Sequence, residues 1–161
     1  MKARLRKVIS ILARICFVVY LIALVYFLFF CEQFGRMPSE NYRYNFVPFQ
    51  EIARYIRYRH NIGWSHFMIN VFGNILCFMP FGFALPILSE KQRHWWKVTG
   101  QSFLASFLIE GIQLVSKVGS CDVDDVILNT CGGAIGYLLF VIGLQIWRKI
   151  PHGEGESSKM L

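Results

Sequence analysis

An all-α polytopic membrane fold, with four transmembrane helices and a short amphipathic interfacial helix in the 31–66 loop, follows from three features of this chain. It is 55% hydrophobic and carries 15 phenylalanines in 161 residues, too apolar for a soluble domain of this length. Its apolar residues gather into four stretches, about Ile9–Phe30, Met68–Leu88, Val98–Val118 and Asp124–Trp147. About 20 residues at ~1.5 Å each cover the roughly 30 Å hydrocarbon core, so every stretch can span it. Between the first two, Phe49, Ile52, Ala53 and Ile56 recur at helical spacing.

The first stretch follows Lys2, Arg4, Arg6 and Lys7 and so resembles a secretory signal. Its apolar part is too long for one, and no small-x-small cleavage site follows Phe30, which predicts a retained anchor. Arg14 near its start can snorkel to the headgroups. With both termini inside, eleven of the 17 lysines and arginines lie on the inner side, the sense of the positive-inside bias. The expected location is therefore a cell membrane, multi-pass, with cytoplasmic termini. The net charge of +7 reads as topology, with no nucleic acid partner. Residues 1–150 are expected to form one membrane domain. Residues 151–161, rich in Gly, Ser and charge, are expected to form a disordered cytoplasmic tail. Cys16, Cys77 and Cys131 fall inside spans as small buried hydrophobes, while Cys31 and Cys121 share one side, where nothing in their spacing demands a disulfide.

The polar residues inside the spans carry the functional argument. A carboxylate at a helix centre costs roughly 2.5–3.5 kcal/mol on insertion scales and is a functional-site candidate by default. Glu110 is such a residue, with Gln113 three positions on. The predicted topology brings them to the depth of Asn70 and Asn74 on the second span and of Asp124, Asp125 and Asn129 on the fourth, all toward the outer leaflet. Ser102, Ser106, Glu110, Gln113 and Lys117 form one stripe at helical spacing, and Asp125, Asn129, Gly132 and Gly136 form another. Plain packing competes with this reading: Asn, Gln and Ser serve as interhelical glue, and Gly132-x-x-x-Gly136 permits close approach. Asp122 suits a helix N-cap as well as a site, and Asp125 suits a first turn.

Pro48 precedes the amphipathic stretch as a helix start. Its Arg54 and Arg57 could take the phosphate of a lipid headgroup or of a lipid-linked substrate. Simple anchoring at the membrane surface is the plainer account of them.

Several segments together resemble the VanZ-like family of small bacterial membrane proteins. They are Asn45-Phe-Val-Pro-Phe49, Asn70-Val-Phe-Gly-Asn74 running on to Pro80-Phe-Gly-Phe83, Ile109-Glu-Gly-Ile-Gln113, Asp122-Val-Asp-Asp-Val-Ile-Leu-Asn129-Thr130, Gly133, and Gly136-Tyr137. The resemblance spans about residues 10–147 and departs at Cys121, where the family pattern has an aromatic. It implies a part in low-level resistance to teicoplanin and related lipoglycopeptides at the outer membrane face. It supplies no reaction.

Two mechanisms fit these residues. In the first, the chain is a binding factor for a lipid-linked cell-wall precursor or for the antibiotic, held by Asn70, Asn74, Glu110, Gln113, Asp122, Asp124, Asp125 and Asn129 with Arg54 and Arg57. In the second it is an intramembrane enzyme acting on a lipid or precursor headgroup. Glu110 is then the base, with catalytic Asp124 and Asp125, and a divalent cation such as Mg²⁺ at Asp122, Asp124 and Asp125. Asp-x-Asp-Asp alone is a weak metal motif, no His lies in the cluster, and no nucleophile stands beside a base at familiar spacing. A channel would need an oligomer, and the sequence leaves the oligomeric state open.

Overall fold

The computed structural model describes residues 2–30, 41–57 and 64–149. Along the chain these form α1 (Lys2–Phe29), β1 (Tyr44–Asn45), α2 (Gln50–Arg57) and α3 (Trp64–Leu88). A 3₁₀ turn at Glu90–Gln92 leads to α4 (Trp95–Ser116), β2 (Cys121–Asp122) and α5 (Val123–Lys149). Among the described residues, α1, α3, α4 and α5 hold apolar segments long enough to cross a membrane, Ile11–Phe29, Phe67–Leu88, Trp95–Ser116 and Val123–Lys149. The chain is an all-α multi-pass membrane protein. The tail at 151–161 lies outside the described residues.

Burial in α4 is inverted relative to a soluble helix. Its buried residues are Val98, Ser102, Ser106, Glu110 and Gln113, while Phe103, Leu104, Phe107, Leu108, Ile112 and Val115 are exposed. That arrangement is stable only where the surroundings are hydrocarbon. Lys117, expected on the same stripe, instead ends the helix in the left-handed region at φ 56°. Its N–H returns to the Gln113 and Leu114 carbonyls, and Gly119 at φ 82° turns the chain toward α5. A left-handed cap of this kind satisfies carbonyls that the helix end would leave open.

The widest helix contact is between α3 and α5, followed by α4 with α5. It is built on glycine. A Cβ at Gly132 would overlap the Ile75 carbonyl, one at Gly136 the Met79 carbonyl, and one at Gly82 the Gly133 backbone. Gly133 in turn leaves room for the Ser102 side chain of α4. Without a hydrophobic drive between helices in lipid, such backbone approach is what dispersion forces need. Helix α1 has a smaller contact with α3, in which Tyr20 donates to the Cys77 carbonyl at 2.6 Å and Leu24, Leu28 and Phe78 form an apolar cluster.

The cysteines differ from expectation. Cys77 is half-buried and Cys121 buried, but Cys16 and Cys131 are exposed on their spans. A thiol is a weak enough donor to face lipid as readily as a core. Cys121 carries a free thiol, and Cys31 lies outside the described residues.

Candidate functional site

The ends of α3, α4 and α5 that carry the polar residues meet at one end of the bundle, where β1 and α2 also dock. Glu110 is 3% exposed. Its Oε2 accepts the backbone N–H of Asp122 at 2.8 Å, folding the 117–122 turn back onto α4. Asp122 is the N-cap of α5, its Oδ1 accepting the Asp124 N–H at 2.9 Å. The same oxygen accepts the Asn45 side-chain amide at 3.1 Å. Tyr44 and Asn45 pair in parallel with Cys121 and Asp122, and the Cys121 N–H donates to the Arg43 carbonyl at 3.0 Å.

Asp124, 1% exposed, caps a helix other than its own. Its Oδ1 accepts the Phe49 N–H, and its Oδ2 accepts those of Glu51 at 3.0 Å and Ile52 at 3.2 Å. These are first-turn amides of α2 that no intrahelical carbonyl can reach. A carboxylate there also meets the positive end of the helix dipole. Asp125 accepts the Asn74 side-chain amide at 2.5 Å. Asn74 is buried, and Asn70 lies half-buried one turn earlier on the same stripe of α3.

Two expected site residues are directed elsewhere. Gln113 donates to the Leu28 carbonyl at 2.9 Å, closing the last turn of α1. Asn129 donates to the Ser106 hydroxyl at 2.8 Å, tying α5 to α4. Among the described residues, Gln113 Oε1 and Asn129 Oδ1 are buried without a hydrogen-bond partner. Arg54 pairs with Glu51 within α2 at 2.5 Å and lies 5.6 Å from the Tyr55 ring centre. Arg57, the last residue of α2, is exposed.

Burial sets the electrostatics. It pushes the Asp122 carboxyl above its ordinary range, with the Asp124 N–H drawing it partly back. Glu51 is raised for the same reason, against the pull of Arg54. Burial, and then the Glu110, Asp122 and Asp125 carboxylates, raise the Cys121 thiol, which suits a packed thiol and not a thiolate nucleophile. Among the described residues no group of three or more His, Cys, Asp or Glu is arranged to hold a metal ion. The Asp122 and Asp124 oxygens that accept bonds face amide hydrogens. His60 and the His66 side chain lie outside the described residues.

Four participants escaped the sequence reading of the site. Asn45 bridges β1 to Asp122 and accepts the Val47 N–H at 3.1 Å. An Asn three residues before Pro48 is the signal for that Asx turn. Phe49, Glu51 and Ile52 supply amides to Asp124, and no side-chain pattern announces a backbone donor.

A family model for VanZ/LLP1 matches residues 17–145. The chain belongs to the VanZ/LLP1 family. The VanZ/LLP1 match takes in the four spans from Phe17 onward together with β1, α2 and the whole carboxylate cluster. Protein VanZ of Enterococcus faecium is similar, 28% identical over 134 residues, which is 81% of this chain and 74% of that protein. No solved structure matches.

Proposed function

We propose that this VanZ-family protein lowers susceptibility to teicoplanin and related lipoglycopeptides by binding a lipid-linked precursor or the antibiotic at the outer membrane face. Both termini are cytoplasmic in this reading, so the Glu110 end of the bundle meets the outer leaflet. The observation that carries it is the gathering of Glu110, Asp122, Asp124 and Asp125 at one bundle end beneath α2. Four carboxylates within one short reach of chain are more than interhelical packing requires. Asn70 and Asn74 are the neutral polar groups for the ligand, joined by Gln113 Oε1 and Asn129 Oδ1, the atoms their bonds to Leu28 and Ser106 leave over, and Arg54 and Arg57 meet its anionic group.

The test is to express the chain in a susceptible Gram-positive host. Teicoplanin and vancomycin inhibitory concentrations are then compared for wild type, Glu110→Gln and Asp125→Asn at matched membrane levels. Wild type is expected to raise the teicoplanin value. Each neutral swap keeps an acceptor oxygen but removes charge assistance, worth roughly 1 kcal/mol or about fivefold in affinity, so partial loss is expected. Complete loss in both variants would favour an intramembrane acid–base enzyme instead, and no rise in wild type would sink the resistance role.

A further inference from the structure

Helix α2 is too short and too polar to cross a bilayer, yet it has three distinct sides. Glu51, Ile52 and Tyr55 are half-buried against the bundle. Ala53 and Ile56 form an exposed apolar side, and Gln50, Arg54 and Arg57 an exposed polar one. At 3.6 residues per turn these sides lie about 120° apart. The expected apolar face is thus divided, with Ile52 turned to the bundle and Ile56 turned away from it.

The depth of α2 is also defined. Its first turn is capped by Asp124, which lies in the first turn of the α5 span, and it packs on α3 and α5. Its free sides therefore stand where hydrocarbon gives way to headgroups. The preceding segment presents Tyr42, Tyr44, Phe46, Val47 and Phe49, each more than half exposed. Phe49 holds the left-handed region at φ 63°, rare for a bulky residue and sustained only where surroundings compensate. Asp124 fixes that backbone through the Phe49 N–H and leaves the ring outside. Among the described residues, neither Arg43 nor Arg57 is paired with a carboxylate.

We propose that the β1–α2 segment is a docking surface for anionic phospholipid, with Phe49 and Ile56 entering the acyl boundary while Arg43 and Arg57 grip phosphate. Aromatic side chains beside exposed guanidinium groups are the composition that the interface selects. Two exposed guanidinium forks favour anionic over zwitterionic headgroups. This rests on the membrane fold and the position of α2; it shares Arg57 with the ligand reading, so lipid-dependent exchange in the absence of any antibiotic or precursor decides it whatever the resistance assay gives.

The test uses the full chain in nanodiscs of phosphatidylcholine, with and without phosphatidylglycerol, following amide exchange across residues 41–57. Exchange is expected to be slower with phosphatidylglycerol, and raised salt is expected to close the gap. Arg57→Gln should reduce that gap roughly fivefold, and Arg43→Gln with Arg57→Gln should abolish it. Ile56→Ser should speed exchange in both lipids. Equal exchange in the two lipids, a gap that survives salt, or a gap kept by the double variant would each overturn the proposal. If the double variant also loses protection across α3–α5, the single variant and the salt series decide the outcome without it.

Discussion

The glycine seam of α3 and α5 and the carboxylate end of the bundle are both buried, yet they are held by opposite means. Along the seam Gly82, Gly132, Gly133 and Gly136 let backbones touch, so cohesion is dispersion between close surfaces. At the carboxylate end Glu110 and Asp124 accept backbone N–H groups from connecting segments, and Asp122 caps α5 while accepting the Asn45 side-chain amide of β1. The seam joins long helices, and the polar end joins what lies between them. The first tolerates no added atom, whereas the second tolerates no lost acceptor.

The sharpest way to break that contrast is at the seam. Gly136→Val would drive side-chain atoms into the Met79 carbonyl and the Phe83 amide. Backbone cannot yield as a side chain can, so the expected loss is about 3 kcal/mol, the upper end of overpacking costs. Gly143 has open space around it, and Gly143→Ala is expected to gain roughly 0.5–1 kcal/mol from helix propensity. Thermal midpoints of the two variants in one detergent check this. Equal midpoints would mean the seam is looser than its geometry.

A smaller effect is expected at the other end. Asp124→Ala strands the amides of Phe49, Glu51 and Ile52, at a cost of roughly 1–3 kcal/mol. That cost falls on α2 and not on the spans. Amide exchange should speed across residues 49–57 while α3, α4 and α5 keep their protection. Loss of protection throughout would make Asp124 a pillar of the bundle and erase the distinction between the two regions.

How much of this was legible in the sequence follows the same division. The four spans were, because hydropathy over 20 residues is a strong signal, and so was the stripe of Ser102, Ser106, Glu110 and Gln113, because period alone defines it. Gly132 and Gly136 announced close packing by their spacing. The partners of the stripe were less legible. Gln113 turns to α1 and Asn129 to Ser106, since which neighbour a buried amide meets depends on helix rotation, which sequence period does not define. The role of Asp124 as a cap for α2 was hidden, for its donors are backbone amides more than 70 residues away. The two-residue β1–β2 pairing is too short to leave any alternation to read.

The smallest expected effect tests what charge contributes to the polar end. Burial raises the folded-state pKa of Asp122 above its ordinary 3.8, so the folded chain holds that proton more tightly than the unfolded one. Between the two pKa values stability therefore falls as pH rises, and the slope vanishes below and above that window. Asp122→Asn keeps the Oδ1 acceptor for Asn45 and for the Asp124 N–H while removing the titration. Its midpoint is expected to be flatter than wild type through the window and slightly higher at neutral pH, with Glu51 left to supply the residual slope in the same direction. Thermal midpoints in detergent across an acidic-to-neutral series read this directly. The competing force is the dipole of α5, which favours a charged cap at its first turn. If Asp122→Asn destabilises at neutral pH as much as Asp124→Ala does, the dipole outweighs desolvation, and the carboxylates here are retained for their charge as much as for their oxygens.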